Sequence, residues 1–549
     1  MSTSPHRTPD DQPEDRRNAV ATGRTGKSTD RQNAAATGPA DQHTDSHHAV
    51  ATGRAGHNGV LFAMCLALVL VVASVSALNL ALPDLAIDLS AGNGTLTWIA
   101  DGYTVALAAL VLPLGAIGDR IGRRNVLVAG TVVFGAASLA ASFADSTTTL
   151  IVWRVVMGLG AAMIMPGTLS TITAAFPPEQ RVKGVATWSG FAAAGAIIGM
   201  LAAGALLEWF SWRSIFVSSA AVALLAGVAA LLLAPDTKDE HPSPPDVSGA
   251  VCTAVGIGTL VFAIIEGNER GWTEPVVIAA LVVTVLAFTA YAWLGLRNEH
   301  PLLDPALFGI RGFRAGAITV LVQFMAVFGF FFVGLQYLQL ILGYSPLKAA
   351  AALVPVAVVV LPTSQATPHL VRRVGMKATM TVGLLLLSAG LFVISRLDVG
   401  SGYLPFLGGL VLAGFGIGLS GAVGTSAITG SLGRGRQGVA SAMNDTTREV
   451  GSAVGIALMG SVYGSHYRSN LPDSLDRLPP EAAEAARDSA AAGLHVADQL
   501  GARGAALADG VKSAFMEGLS ASLVAVGVIV LVAAVGCLFR APKTPPTSD

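Results

Sequence analysis

Apolar stretches as long as a bilayer is thick recur along this chain from residue 58 to residue 540, and that repetition leaves few folds open. An α-helix rises 1.5 Å per residue, so about 20 residues cross the hydrocarbon core. Lipid offers the backbone no hydrogen-bond partners, and runs of this length satisfy their own amides only as helices. About fourteen such segments centre near residues 71, 108, 135, 160, 194, 224, 257, 285, 326, 358, 386, 413, 450 and 527. The breaks between them carry turn and charge signals such as GDRIGRR, FPPEQR and PDTKDEHPSPP. Only 13% of residues are charged, against about 25% in soluble domains. The 62 glycines suit close helix packing in lipid. A net charge of −1 gives no basic field, so nucleic acid is not expected as a partner. Cys65, Cys252 and Cys537 each lie in an apolar run and read as small buried hydrophobes.

Residues 1–57 differ sharply. They are polar and carry a 15-residue repeat, AVATG from Ala19, AAATG from Ala34 and AVATG from Ala49. A repeat this short and polar cannot bury enough surface to fold, so a disordered tail is expected, with no cleavable signal peptide. His43, His47 and His48 lie in this tail and read as solvated, with no metal site expected anywhere in the chain.

Loop charge predicts orientation. With the N-terminus inside, the short internal loops carry fourteen basic residues between Arg120 and Arg436, and the short external loops only Arg213, Arg270, Lys348 and Arg396. That bias places both termini in the cytoplasm of a cell whose plasma membrane holds the protein. One long external loop, about 465–513, is Ala-rich and charged after Pro479-Pro480, a composition fit for amphipathic helices.

The second apolar segment ends in Gly115-Ala-Ile-Gly-Asp119-Arg120-Ile-Gly122-Arg123-Arg124. This resembles the signature loop of the major facilitator superfamily in every position but Ile117. Trp98-Ile-Ala-Asp101-Gly-Tyr103, Asn79-Leu-Ala-Leu-Pro83, Ser211-Trp212-Arg213, Gly343-Tyr344-Ser345-Pro346 and Asn444-Asp445-Thr-Thr-Arg448-Glu449 are similar to motifs of its fourteen-helix drug:proton antiporter branch. The resemblance covers residues 58–540. It implies an all-α integral membrane fold of fourteen transmembrane helices, two pseudo-symmetric six-helix halves with two inserted helices. The expected boundaries are 58–234 for the first half, 235–298 for the inserted pair, 299–540 for the second half and 541–549 for a cytoplasmic tail. The signature loop would latch the halves together in one state of the cycle. Two positions depart from the family pattern. Ser74 stands where an Asp is usual in the first helix, and the fifth-helix antiporter motif keeps Gly195, Gly199 and Gly204 but has Met200 and Ala203. The second departure bears on the direction of transport.

A charge in the bilayer core is costly, about 3 kcal/mol on insertion scales, so ionisable residues within spans are candidates for function. Asp101 and Arg154 lie at similar depth, roughly 8 Å below the outer surface, and are expected to be partners. Asp445, Arg448 and Glu449 share one helix face. An Asp445–Arg448 pair would leave Glu449 free to take a proton, against the alternative of a purely structural ion pair. Proton coupling is therefore assigned to Asp101 and Glu449 with Asp445 in support, and Arg154 and Arg448 are the charge partners. Glu266 is read as a solvated charge at a helix end. Trp98, Tyr103, Phe328, Phe332, Gln336 and Tyr337, with Phe324, Phe331 and Gln323 nearby, would offer a flat amphipathic substrate aromatic faces and amides.

No phosphate-binding loop, H-E-x-x-H or G-x-S-x-G is present, and the Gly-rich runs at 414–418 and 158–160 lie inside apolar helices. The expectation is a transporter and not an enzyme, without cofactor, driven by the transmembrane proton gradient. Its partners are a small-molecule substrate, protons and membrane lipid, and it acts as a monomer. Rival readings are an exporter dedicated to one endogenous metabolite, an importer, or a membrane-embedded enzyme.

Overall fold

The computed structural model describes residues 54–237, 246–298, 301, 304–432, 437–473, 475 and 478–542, and among them there is no β-strand. Most of the tail, with its repeats and histidines, lies outside the described residues. The first helix begins at Arg54, four residues before the expected boundary.

In chain order the helices are α1 (Arg54–Ala77), α2 (Leu82–Asp88), α3 (Asn93–Ile121), α4 (Arg123–Ala141), α5 (Thr147–Ala175), α6 (Pro178–Trp209) and α7 (Arg213–Leu233). Next come α8 (Val247–Arg270) and α9 (Pro275–Gly295). The remainder are α10 (Arg311–Gln336), prolonged by a π turn at Tyr337–Ile341, α11 (Pro346–Ala351), α12 (Val354–Val374), α13 (Met376–Ile394), α14 (Tyr403–Gly430), α15 (Gln437–Ser469), α16 (Pro480–Asp488), α17 (Ala490–Gln499) and α18 (Ala505–Arg540). Local chemistry sets several starts. Ser146 accepts from the Thr149 amide at α5 and Asp246 from the Gly249 amide at α8, while proline opens α6, α9, α11 and α16.

Among the described residues, twelve helical stretches are long and apolar enough to span a bilayer. The expected count of fourteen needs α6 and α15 as well. Both are long, at 32 and 33 residues, but polar in part. α15 carries Asn444 through Glu449 in its interior and packs on α10, α18, α3 and α8, so protein covers what lipid would reject.

The helix pairings repeat. α1 packs on α6 as α10 does on α15, α4 on α5 as α13 on α14, α4 on α7 as α13 on α18, and α3 on α5 as α12 on α14. Two six-helix sets thus share one plan, with α8 and α9 paired between them. They are not separate bodies, since Thr52–Asp549 clusters as one unit.

The described contacts between the two sets gather at the end opposite the Asp119–Arg124 loop, here called the cap end. There Gln339 Nε2 donates to the Leu80 carbonyl at 3.1 Å, α6 packs on α11, and α17 packs on α2. The α16–α17 segment, expected as amphipathic helices, folds over this end. Tyr467 Oη holds the Ala486 carbonyl at 2.7 Å, and Asp488 rests against Gly92.

Burial pushes the Asp488 carboxyl above its ordinary range; Arg468 opposes that, and Glu484 and Glu269 reinforce it. A carboxyl raised in the docked state binds its proton more tightly there, so docking of the cap gains stability as pH falls through the raised value. Amide hydrogen exchange across 480–499, corrected for intrinsic rate, is expected to slow from neutral toward acid pH, and Asp488→Asn should flatten that dependence.

Candidate functional site

Arg154 is the most enclosed cation in the chain's described residues, 1% exposed on α5. Its Nε donates to the Ile99 carbonyl at 3.0 Å, Nη2 to Ala100 at 3.1 Å and Nη1 to Ser74 at 3.5 Å. Its guanidinium carbon stands 4.6 Å from the centre of the Tyr103 ring. Arg154 therefore ties α5 to α3 and α1, and the Ser74 backbone stands in where the family's side-chain acid is missing. Asp101, fully buried on α3, makes no ion pair within 4 Å with Arg154, yet the two charges lie near enough to act on each other, so the expected partnership is electrostatic and without direct contact. One Asp101 carboxylate oxygen accepts a short hydrogen bond from Thr104, and the other has no partner among the described residues.

On α15 the expected arrangement is present. Arg448 Nη1 lies 3.8 Å from Asp445 Oδ1, and its guanidinium covers the Phe324 ring at 4.7 Å. Glu449, 8% exposed, makes no ion pair or hydrogen bond among the described residues. α15 runs antiparallel to α3, with Gly460 against Thr97. Counting eleven residues back from Gly460 puts Glu449 level with about Ala108, so Glu449 and Asp101 differ in depth by roughly 10 Å. They sit on facing helices at separate levels.

The signature loop is built around Gly122, whose φ of +117° suits glycine and leaves Asp236 2.8 Å from where a Cβ would stand. Gly115 lies against Pro166, and Asp119 accepts from Arg123 Nε at 2.7 Å. The Arg123 amide bonds Thr237 and Arg124 Nη1 bonds Ala234. None of these partners belongs to the second six-helix set, so among the described residues the loop does not latch the two sets together in this conformation. The Nε atoms of Arg120 and Arg124 are buried without a partner among the described residues.

The fifth-helix glycines divide between two jobs. A Cβ on Gly195 or Gly199 would meet Val72 or Ala73 of α1, whereas one on Gly204 would lie 2.8 Å from the Leu347 Cα of α11, across the interface. Gly204→Leu is expected to cost the closed cap end about 1–3 kcal/mol by overpacking backbone against backbone, read as a lowered unfolding temperature of the purified protein. Gly190→Leu, at an open position, is the neutral control.

The aromatic wall is narrower than expected. Tyr103 is fully buried with its hydroxyl on the Val71 carbonyl at 3.0 Å, and Tyr337 stacks on Phe406 and bonds Ser401. Phe332 is 1% exposed, and Gln336 turns back onto its carbonyl at 2.8 Å. These four are packing residues in this conformation. Phe324, Phe328 and Phe331 form a contiguous ring set beside Arg448, and Gln323 accepts from Ser420 at 2.7 Å. Glu266 corrects the expectation of a solvated charge. Its side chain is 14% exposed, it accepts from Trp98 Nε1 at 3.1 Å, and it pairs with Arg270. In the sequence only the i,i+4 spacing of Glu266 and Arg270 signals a partner; Trp98 is 168 positions away.

Buried charges on facing helices, in a bundle of two like-built halves, define a membrane transporter. A family model described as Major Facilitator Superfamily matches residues 64–456. The chain belongs to that superfamily. It is 31% identical to the multidrug efflux pump LfrA of Mycolicibacterium smegmatis, over 87% of this chain and 96% of that protein. It is 30% identical to the tetracenomycin C resistance and export protein of Streptomyces glaucescens, over 88% and 92%. Among solved structures, an inward-facing bacterial homolog of the human lysosomal transporter Spinster aligns with a TM-score of 0.65 at 16% identity, covering 89% of this chain and 97% of that one. That likeness speaks for the fold.

Proposed function

We propose that this chain exports drugs or related amphipathic organic compounds across the plasma membrane, by proton-coupled alternating access through fourteen spans with both termini cytoplasmic. The observation that carries the reading is Glu449, an enclosed carboxyl on α15 with no ion pair or hydrogen bond among the described residues while its neighbour Asp445 holds Arg448. A carboxyl so placed loses its desolvation penalty each time it takes up a proton, which links proton binding to conformation. Asp101, with one orphaned oxygen, is a second proton position at another depth. The efflux and export names of the relatives support outward drug transport. With the basic loops in the cytoplasm, contact at the cap end makes this the inward-facing state, its substrate surface Phe324, Phe328 and Phe331.

Proteoliposomes of known orientation test the proposal. Substrate should move against its gradient when protons run the opposite way, and accumulation with a reversed pH gradient would overturn efflux. A dedicated exporter of one metabolite is the second reading, favoured by the altered fifth-helix motif and the tetracenomycin C relative. Transport of a single compound from a chemically varied panel would decide for it.

A further inference from the structure

The inserted helix α8 does not stand apart from the two halves. Its last turns lie between α3 of the first and α15 of the second, where Val261 and Ile265 pack with Ala453 and Ala457, and Trp98 and Val105 close the cluster. On the α15 side Ser461 Oγ donates to the Ile264 carbonyl at 2.8 Å, and Arg468 Nη2 reaches both Glu269 oxygens at 2.6 and 2.5 Å. On the α3 side Glu266 accepts from Trp98 Nε1 at 3.1 Å, while Glu269 lies over Gly94, the carboxyl carbon 2.6 Å from where a Cβ would stand. Any side chain at position 94 would push Glu269 away.

Alternating access requires the halves to part at this end, and α8 cannot keep both grips. The grip on α15 is a two-oxygen ion pair, a second hydrogen bond and the Ala453 and Ala457 side of the apolar cluster. The grip on α3 is the more extensive in packing, through Trp98 on Phe262 at 6.1 Å, Val105 and the seat on Gly94, but among the described residues it holds a single polar contact, the Trp98–Glu266 hydrogen bond. Both grips end on a carboxylate, and the α15 side differs in pairing opposite charges through two oxygens and adding the Ser461 bond, so more polar contact holds α8 to α15 than to α3. We propose that α8 travels with the second half, and that Trp98–Glu266 is the joint that must break for the cap end to open. Trp98 and Glu266 are then positioning residues, and Trp98 serves the gate in place of lining a substrate site. The direction of movement rests on the transport reading above; which half carries α8 does not.

Spin-label distances test this. Cys65, Cys252 and Cys537 are replaced by alanine, and labels are placed at the exposed positions Phe143, Thr273, Val399 and His466. The Phe143–Val399 distance reports opening of the cap end, Thr273–Phe143 reports α8 against the first half, and Thr273–His466 reports α8 against α15. Trp98→Phe, which keeps the ring and deletes the donor, is expected to raise the ratio of wide to narrow Phe143–Val399 distances about tenfold. In that wide population Thr273–Phe143 should lengthen while Thr273–His466 stays fixed. Glu266→Gln, which retains an acceptor oxygen, should give a smaller shift of the same sign and is read if Trp98→Phe does not reach the membrane. Unchanged Phe143–Val399 distances, or a Thr273–His466 distance that lengthens on opening, would overturn the proposal. Because no substrate enters these measurements, failure of the export assay on the same vesicles would sink the transport reading alone.

Discussion

Vesicles carrying Glu449→Gln are expected to bind substrate normally and yet accumulate it at least about tenfold less under an imposed gradient of about one pH unit. One pH unit is worth about 1.4 kcal/mol per proton, a tenfold concentration ratio for each proton coupled. Glutamine keeps the size and hydrogen-bonding capacity of Glu449 but cannot take up the proton, so only the coupled component is removed. Equilibrium binding by scintillation proximity and gradient-driven uptake on the same preparation make the comparison. Full pH-dependent accumulation by Glu449→Gln would remove this residue from the coupling pathway and leave Asp101 to carry it. Asp445→Asn should be milder in transport, because its first task is to hold Arg448.

Arg154→Met should lower stability by about 3–5 kcal/mol, the penalty typical of removing one partner from a buried charged network. The loss has three parts. The carbonyls of Ile99, Ala100 and Ser74 lose a donor, the Tyr103 ring loses its cation, and Asp101 is left buried with no positive charge near it. Thermal unfolding in detergent reads the total. The double variant Arg154→Met/Asp101→Asn should recover a substantial share of it, since the stranded acid is then neutral. Additivity of the two substitutions would show that Arg154 and Asp101 do not interact despite their proximity in the bundle.

The apolar runs made the helices legible because a lipid-spanning backbone has so few options. The polar interior of α15 was legible for the opposite reason, since Asn444 through Glu449 cannot face lipid and must point inward. Less could be learned of partners. Asp101 and Arg154 share a depth in sequence arithmetic, but Arg154 bonds carbonyls and not the acid, because carbonyl positions depend on how α1, α3 and α5 cross. The aromatic residues of α10 looked like one wall, and only packing separates Phe324 and Phe328 from Phe332 and Tyr337.

What the sequence determined by itself was the membrane, the family and the identity of the charges that bury themselves, since hydropathy and charge are properties each residue carries wherever it goes. The tertiary structure decided who meets whom. Gly204 against Leu347, Glu266 against Trp98 and Glu269 against Arg468 join residues far apart in the chain. Such contacts follow from helix crossing and rotation, which depend on every neighbour at once and leave no periodic trace in the residues themselves.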